Sequence, residues 1–321
     1  MPVAPLYFPP QYAPPQAPIS HELGQRPAPP VTRNNLTTLK PQPQAPIQTL
    51  QKPYLGFQDL ANVAPADVLV VLAHPDDEIF LSGTAAKLAK EGKRVQFVYA
   101  TNGKAGEDVS GRGFSGDILG VERSFEASRA LQKLGVNRPP MILDFMDGET
   151  GNFPEALKEQ LRAILLHTRP QTVLLFNAEN GLTGHPDHKN VSSFVDDVLE
   201  TVAEGKSARD RADQNKLGDL FNSGGVYQAS LSETAFRHFR LFFPEDNPSW
   251  QGLQAVYDST VTLRTPIDPE LSKIKALSHQ QHASQYRSED FAQMQRFYQQ
   301  YPYEEFIRYQ IKRQPAPRIQ P

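Results

Sequence analysis

An unbroken apolar run, DVLVVLA at 67–73, constrains the fold of this chain more than any other feature of the sequence. After Asp67 the run shows no polar alternation, which is typical of a parallel strand buried on both faces of a sheet. Such a strand needs helices on both sides of the sheet to cover it. The sequence therefore predicts an α/β fold.

Further apolar runs, and the patterns between them, extend this prediction along the chain. Strands are predicted at 95–100, 141–145 and 172–177, and helices with apolar residues at three-and-four spacing at about 79–91, 117–134 and 153–168. Strands and helices that alternate in this way form βαβ units with parallel strands. We expect a Rossmann-like, three-layer α/β/α sandwich with a mainly parallel sheet.

The second half of the domain has a more mixed pattern. Stretches with β propensity, at 225–230, 237–243 and 255–263, precede a helix predicted at about 268–285. We therefore place one domain at 65–290, followed by a C-terminal helix and polar tail at 291–321.

The N-terminal segment differs in composition from the rest of the chain. Residues 1–50 hold 13 of the 29 prolines, together with many Gln and Ala residues. Because proline removes backbone N–H donors, such a segment cannot form helix or sheet ladders. We predict a largely disordered or extended arm over 1–60, which acts as a tether in preference to a specific PxxP ligand.

Charge and apolar content narrow the possible partners and locations. The 33 basic and 36 acidic residues give a net charge of −3 without a long run of one sign, so nucleic acid is not expected as a partner. No apolar stretch reaches the roughly 18 residues of a membrane span. The N-terminus also lacks the features of a signal peptide, which favours the cytoplasm unless a presequence has been removed.

Two clusters of ionisable residues follow predicted strands. The first strand runs into HPDDE at 74–78, and the strand at 172–177 leads through AENGLTG into HPDH at 185–188. In open α/β sheets, functional groups gather beyond the carboxyl ends of the strands. Both clusters therefore lie where a site is expected.

The residue types in these clusters point to a metal ion. Because the chain has no cysteine, a tightly held metal must use His, Asp or Glu. Such residues lie three positions apart in both clusters: His74 with Asp77, and His185 with His188. Two histidines and one carboxylate leave a fourth position for water, as in catalytic zinc sites. A lone loop histidine or a helix N-cap would explain one of these residues but not both clusters.

Together, these motifs resemble those of the PIG-L or LmbE-like zinc-dependent N-acetylglucosaminyl deacetylases. The resemblance rests on AHPDDE at 73–78 and HPDH at 185–188, and it covers roughly 65–290. Weaker similar features are TNGKAG at 101–106, ERSFEASRALQKLG at 122–135 and HASQ at 282–285. The resemblance implies hydrolysis of the N-acetyl amide of an N-acetylglucosamine-type sugar or glycoconjugate, which releases acetate and a free amine.

The resemblance also implies a role for each residue of the two clusters. Asp76 would act as the general base, and His185 would stabilise the oxyanion. The chemistry of the second cluster, independently of the resemblance, predicts that Asp187 orients His185 and keeps it positively charged. One zinc ion per chain, with Fe(II) or Co(II) as possible substitutes, would be held by His74, Asp77 and His188.

Four further residues have two possible roles each. Arg123, Tyr227 and His282 could contact the substrate. The alternatives are a surface ion pair of Arg123 with a neighbouring glutamate, and core packing of Tyr227 and His282. Glu78 could support a ligand histidine or lie exposed in the first helical turn.

Other functions on the same fold agree less well with the two clusters. A nucleotide-binding Rossmann enzyme would have a Gly-rich turn in place of HPDDE at 74–78, where carboxylates would repel a pyrophosphate. A phosphoester hydrolase usually needs more carboxylates and often two metals. The alternatives are a non-catalytic sugar-binding homologue and a metal-dependent amidase for a different acylated amine.

Deletion of residues 1–50 tests the prediction for the arm. Turnover of a small N-acetylated sugar should stay within a few-fold of the full chain, because an extended Pro-rich segment contributes little to a packed core. Activity assays and thermal denaturation of the truncated protein measure this. A large loss of activity, or unfolding, would show that the arm packs on the domain.

Overall fold

The apolar runs form the central strands of a sheet in the computed structural model, which describes residues 52–243, 250 and 252–311. Most of the predicted Pro-rich arm lies outside these residues. The strands are β1 (Val68–Leu72), β2 (Val95–Thr101), β3 (Met141–Phe145), β4 (Thr172–Phe176), β5 (Gly225–Ser232), β6 (Ala255–Val256), β7 (Leu263–Pro266) and β8 (Tyr303–Tyr309). The α-helices are α1 (Ser82–Lys90), α2 (Gly116–Lys133), α3 (Pro154–Thr168), α4 (Pro186–Glu204), α5 (Ala208–Lys216), α6 (Gly218–Asn222), α7 (Glu233–Arg240), α8 (Pro269–His279) and α9 (Ser288–Gln300).

The order of the strands places β1 at the centre of the sheet. The order is β3-β2-β1-β4-β5-β8-β7, and β6 pairs with β5 outside this path. The strands from β3 to β5 are parallel, whereas β8 runs antiparallel to both β5 and β7. Because β2 pairs with one side of β1 and β4 with the other, the chain order reverses between β1 and β4. In sheets of this type, ligands bind at such a switch point.

Both faces of the sheet are covered, which confirms the predicted three-layer sandwich. Along β1, Val68, Val70 and Leu72 join one hydrophobic core, whereas Leu69 and Val71 join a second core on the opposite face. The first core includes apolar side chains of α1, α2, α7, α8 and α9, and the second includes those of α3 and α4. No helix in the described part of the chain is long and apolar enough to cross a membrane.

The structure corrects the predicted strand at 237–243, most of which lies in helix α7. The Ser232 hydroxyl caps the helix by accepting a hydrogen bond from the Ala235 amide at 3.1 Å. Ala235 and Phe239 are four residues apart, and both are buried in the core. The aromatic run therefore follows a helical period, although its composition favours a strand. The helix predicted at 268–285 ends earlier, at His279.

Both ends of the domain extend further than the sequence analysis placed them. The C-terminal tail contains the unpredicted strand β8, which inserts between β5 and β7. Its charged residues obscure the strand pattern, yet Glu304 and Glu305 are buried and paired, with Lys275 and Arg264 respectively. At the other end, the Leu55 amide donates to the Pro140 carbonyl at 2.8 Å, so part of the segment assigned to the arm contacts the domain.

Strand β8 should contribute strongly to stability through Phe306, which is fully buried in the first core. Phe306→Ala should lower the free energy of unfolding by about 3–5 kcal/mol, because it removes apolar contacts and leaves a cavity. Tyr303→Ala in the same strand is the control, with an expected loss below about 1 kcal/mol, since Tyr303 is 41% exposed. Urea denaturation measures both. Equal losses in the two variants would contradict a structural role for β8.

Candidate active site

A cavity of about 550 Å³ opens beyond the carboxyl ends of β1 and β4, at the switch point of the sheet. One part of its wall is polar and comes from the two predicted clusters. Another part is apolar and comes from the turn after β1 and from the second half of the chain. The polar wall includes His74, Asp76, Asp77, Arg123, Asp147, Thr183, His185 and His188, and the apolar wall includes Phe80, Trp250, Leu253 and Tyr286.

The turn after β1 is organised by the carboxylate of Asp77. Its Oδ2 accepts hydrogen bonds from the backbone amides of Ala73 at 3.1 Å and His74 at 2.8 Å. Its Oδ1 lies 3.1 Å from Nε2 of His188. Burial raises the pKa of Asp77, but His188 and His74 outweigh burial and hold the pKa well below its usual value. Asp77 is therefore a buried anion with paired oxygens.

Helix α4 presents the second cluster from its first turn. His185 is the N-cap residue, and its Nδ1 accepts a hydrogen bond from the Asp187 amide at 3.2 Å. Pro186 occupies the first helical position, where a missing N–H has no cost. One turn into the helix, Nδ1 of His188 lies 3.0 Å from the Gly181 carbonyl oxygen. A carbonyl only accepts, so this nitrogen carries the hydrogen and Nε2 presents a lone pair.

His74 carries a hydrogen on Nε2. This nitrogen lies 3.0 Å from Asp147 Oδ1 and 3.2 Å from Asp187 Oδ2, and carboxylates accept hydrogen bonds. Nδ1 of His74 lies 3.1 Å from Nε2 of His188. Burial lowers the pKa of His74, but hydrogen bonds to Asp147, Asp187 and Asp77 outweigh burial and raise this pKa well above its usual value. A proton on Nδ1, or a metal ion in its place, can therefore lie between the two nitrogens. His74, His188 and Asp77 thus converge in one buried cluster.

Two of the donor separations are close to those around a tetrahedral metal ion, and the third is measured to the other carboxylate oxygen of Asp77. His74 Nδ1 is 3.1 Å from His188 Nε2, His188 Nε2 is 3.1 Å from Asp77 Oδ1, and His74 Nδ1 is 3.7 Å from Asp77 Oδ2. Donors at about 2.0–2.1 Å from a tetrahedral zinc ion are about 3.3 Å apart. Two other groups place one ligand atom per residue within 4.8 Å of one another: His74 with His185 and His188, and His74 with Asp147 and Asp187, whose carboxylates already bind His74.

Asp187 corrects one detail of the predicted site, because its carboxylate binds His74 and not His185. It is fully buried, and its Oδ2 accepts from the Gly148 amide at 2.7 Å. Its Oδ1 accepts from the amide and the hydroxyl of Thr150, at 3.0 and 2.7 Å. These donors belong to the loop after β3, and their hydrogen bonds hold the carboxylate beside His74. Burial raises the pKa of Asp187, but the hydrogen bonds from His74 and Thr150 outweigh burial and lower it.

His185 was expected to be positively charged, but its surroundings oppose that charge. Burial lowers the pKa of His185, and the neighbouring His74 and His188 lower it further. Because Nδ1 accepts the Asp187 amide, the neutral ring carries its hydrogen on Nε2. His185 can therefore donate a hydrogen bond without being charged.

Asp76 has a strained backbone. Its φ of 116° and ψ of −20° lie in the left-handed region that residues other than glycine rarely adopt. Such a conformation costs about 1–3 kcal/mol and persists only where the surroundings enforce it. Burial raises the pKa of Asp76, while Arg123 opposes this change. The carboxylate is thus a stronger base than an exposed aspartate, and it borders the cavity.

Arg123 lines the cavity but is neither a surface residue nor free to bind substrate with its whole guanidinium group. Nη2 donates to Asp76 Oδ1 at 3.0 Å and to the Pro75 carbonyl at 2.8 Å. Nη1 donates to the Gly103 carbonyl at 2.8 Å. A Cβ atom at Gly103, where φ is +71°, would lie 2.4 Å from the guanidinium carbon of Arg123. This close approach explains why TNGKAG has a glycine at position 103. Arg123 therefore supports Asp76.

The structure places Tyr227 and His282 away from the cavity, so it contradicts their expected contact with substrate. Tyr227 lies in β5, packs against the first core and has the Arg308 guanidinium 5.9 Å from its ring centroid. His282 is fully buried, and its Nε2 lies 2.5 Å from Glu78 Oε1. Glu78 is also fully buried, which excludes the exposed first-turn position.

Several wall residues were missed by the sequence analysis. Asp147 follows β3 just as His74 follows β1, so the rule about the carboxyl ends of strands could have identified it. Thr183 contacts Nδ1 of His188 at 2.9 Å, but its loop carries no recognisable motif. Trp250 and Tyr286 stack with ring centroids 5.9 Å apart, and no local pattern indicates that they reach the cavity.

Comparison with known proteins finds similarity to a de-N-acetylase family and to individual deacetylases. Residues 69–199 match the family described as PIG-L, GlcNAc-PI de-N-acetylase. The 1D-myo-inositol 2-acetamido-2-deoxy-alpha-D-glucopyranoside deacetylase of Corynebacterium urealyticum is 26% identical over 198 residues, which are 53% of this chain and only 58% of that protein. The protein of the same name from Streptomyces avermitilis is 29% identical over 249 residues, which are 68% of this chain and 82% of the relative.

A solved structure shows the same fold. The N,N'-diacetylchitobiose deacetylase from Pyrococcus horikoshii aligns with a TM-score of 0.55 and 20% identity, over 79% of this chain and 86% of the other. At this identity the likeness concerns the fold alone.

The donor geometry predicts one tightly bound divalent ion. Protein purified without chelator should contain about one equivalent of zinc, and His188→Ala should lose most of it, because one of three donors is removed. Tyr227→Phe is the control and should keep its metal, since Tyr227 does not line the cavity. Elemental analysis measures both. Equal metal in His188→Ala and wild type would disprove the assignment.

Proposed function

We propose that this protein is a member of the PIG-L family, whose model matches residues 69–199, and that it hydrolyses the N-acetyl amide of an N-acetylglucosamine-type sugar or glycoconjugate. The products are acetate and the free amine. One observation carries the proposal: the converging donors of His74, Asp77 and His188 lie in the same cavity wall as the buried, strained Asp76. A sugar-binding module has no need of a strained carboxylate beside a metal site.

The proposed metal ligands are Nδ1 of His74, a carboxylate oxygen of Asp77 and Nε2 of His188. We propose zinc, although Fe(II) and Co(II) also suit two histidines and one carboxylate. A bound zinc ion would polarise the amide carbonyl and lower the pKa of water. Asp147 and Asp187 hold the Nε2 hydrogen of His74, and this contact keeps the other ring nitrogen available as a ligand.

Asp76 is the proposed general base. Arg123 donates to its Oδ1. Among the described residues, none donates a hydrogen bond to its Oδ2. We assign Oδ2 as the atom that accepts a proton from the attacking water. The raised pKa of Asp76 suits this role, because a base accepts protons best when its pKa is close to the working pH. The same carboxylic acid can then return the proton to the leaving amine.

His185 is the proposed donor to the oxyanion. Its hydrogen on Nε2 serves this purpose in the neutral ring, so the lowered pKa of His185 is compatible with the role. A donor fixed as the N-cap of α4 needs no reorganisation when negative charge develops on the carbonyl oxygen.

The cavity supports a sugar as the substrate. Its polar wall can bind hydroxyl groups, while Phe80, Trp250, Leu253 and Tyr286 form an apolar surface on which a sugar ring or the acetyl methyl group can pack. The names of the relatives indicate the same class of compound, a 2-acetamido-2-deoxy-glucopyranoside. An amidase for a different acylated amine is the alternative.

Substitution of the two adjacent aspartates separates chemistry from metal binding. Asp76→Asn should keep the metal and lower kcat by about 10²–10⁴-fold, because it removes the base but preserves the shape. Asp77→Asn should weaken metal retention, since a neutral amide replaces the anionic ligand. Acetate release from N-acetylglucosamine derivatives, together with metal content, measures both effects.

Asp197→Asn is the control for these substitutions, because Asp197 lies on α4 with its side chain 54% exposed and paired with Lys158. It should match wild type in both assays. No acetate release from any N-acetylated amino sugar by the metal-loaded wild type would reject the proposed function. Full activity of Asp76→Asn would reject the proposed base.

A further inference from the structure

The backbone amide of Asp76 is held by a buried carboxylate. This amide donates to Oε2 of Glu78 at 3.1 Å, across the turn that gives Asp76 its φ of 116°. Arg123 holds the side chain of the same residue from the cavity side. Arg123 therefore holds the side chain of Asp76 and Glu78 holds its amide, while its carbonyl accepts from the Ile79 amide at 3.1 Å.

Glu78 is itself fixed from several directions. It is fully buried, and its Oε2 also accepts from the Tyr99 hydroxyl at 2.8 Å. Its Oε1 pairs with Nε2 of His282 at 2.5 Å, and neither side chain of this pair is exposed. Because a buried carboxylate must be paired or hydrogen-bonded, the position of Glu78 depends on these partners. Through its hydrogen bond with the Asp76 amide, Glu78 thus holds Asp76 in a fixed position relative to Tyr99 and His282.

The partner His282 comes from a distant part of the chain, the segment HASQ at 282–285, which gives the motif a structural purpose. Ser284 in the same segment binds a second fully buried glutamate, Glu126, with its amide at 2.9 Å and its hydroxyl at 2.6 Å. Glu126 lies on α2 one turn after Arg123. The segment therefore binds Glu78, which holds the Asp76 amide, and also α2, the helix that carries Arg123.

We propose that Glu78, paired with His282, is a positioning residue that holds the backbone of Asp76 in the left-handed conformation required for proton transfer. The inference rests on the proposed function of Asp76 as the base. Glu78 touches neither the cavity nor the proposed metal ligands with its carboxylate, so its loss should affect the reaction rate and leave metal binding intact.

Two substitutions at Glu78 test the positioning role. Glu78→Met has a similar volume but offers no acceptor to the Asp76 amide, so kcat should fall by about 10–100-fold, the usual effect of losing a supporting contact. KM should change by less than about threefold and the metal content should equal that of wild type, because binding and ligation are untouched. Glu78→Gln keeps an oxygen acceptor and should recover most of the kcat.

Asp213→Asn is the matched control. Asp213 is also a buried carboxylate, but it pairs with Arg162 and lies away from the cavity wall. Its substitution removes a buried ion pair, so it should lower thermal stability while leaving kcat unchanged. A general loss of stability can thus be separated from a specific effect on Asp76.

A measurement on the unmodified protein is independent of both folding of the variants and activity. In a nuclear magnetic resonance hydrogen-exchange experiment, the Asp76 amide should exchange as slowly as the amides of β1, because a buried acceptor protects it. Fast exchange of this amide would overturn the proposal. So would a Glu78→Met variant that keeps kcat within about threefold of wild type, or one that loses its metal.

The two proposals can fail separately. If metal-loaded wild type releases no acetate, the proposed function is rejected and hydrogen exchange alone decides whether Glu78 fixes the Asp76 backbone. If wild type is active and the Glu78 variants show no loss of kcat, only the positioning role is rejected.

Discussion

Two peptide groups at the end of β1 donate hydrogen bonds to the carboxylate of Asp77, and the rest of the site depends on this contact. The contact closes a tight turn at the centre of the sheet and fixes a negative charge at a buried position in the cavity wall. A buried charge of this kind needs opposite charge or donors around it. The two amides are donors to Oδ2, while Oδ1 faces Nε2 of His188 on α4. The strained Asp76 is the residue that completes this turn.

Much of the fold could be predicted because it depends on local patterns. The runs at 67–73, 95–100, 141–145 and 172–177 consist mostly of apolar residues that suit burial on both faces, and each forms a parallel strand. Strands of this type place the residues that follow them at one edge of the sheet. The approximate location of HPDDE and HPDH followed from this rule, and the structure brings His74, Asp77 and His188 together.

Other features could not be predicted, because they depend on contacts between distant residues. Asp187 is two positions from His185, yet donors in the loop after β3 draw its carboxylate to His74. Strand β8 contains two glutamates whose burial is possible only beside Lys275 and Arg264. Arg123 looks like a surface residue until Gly103 and Pro75 provide carbonyl groups for its guanidinium. Each of these side chains depends on partners that are distant from it in the sequence.

The position of β8 has a consequence for how the chain reaches this structure during synthesis. The C-terminal strand Tyr303–Tyr309 lies between β5 and β7, so one edge of β5 stays open and β7 lacks its partner until nearly all of the described chain has left the ribosome. Until then, β5 presents a row of unpaired amides and carbonyls, the kind of edge that recruits other chains. Nascent forms that end before β8 should therefore depend on chaperones, although all residues of the proposed metal site are already present in them.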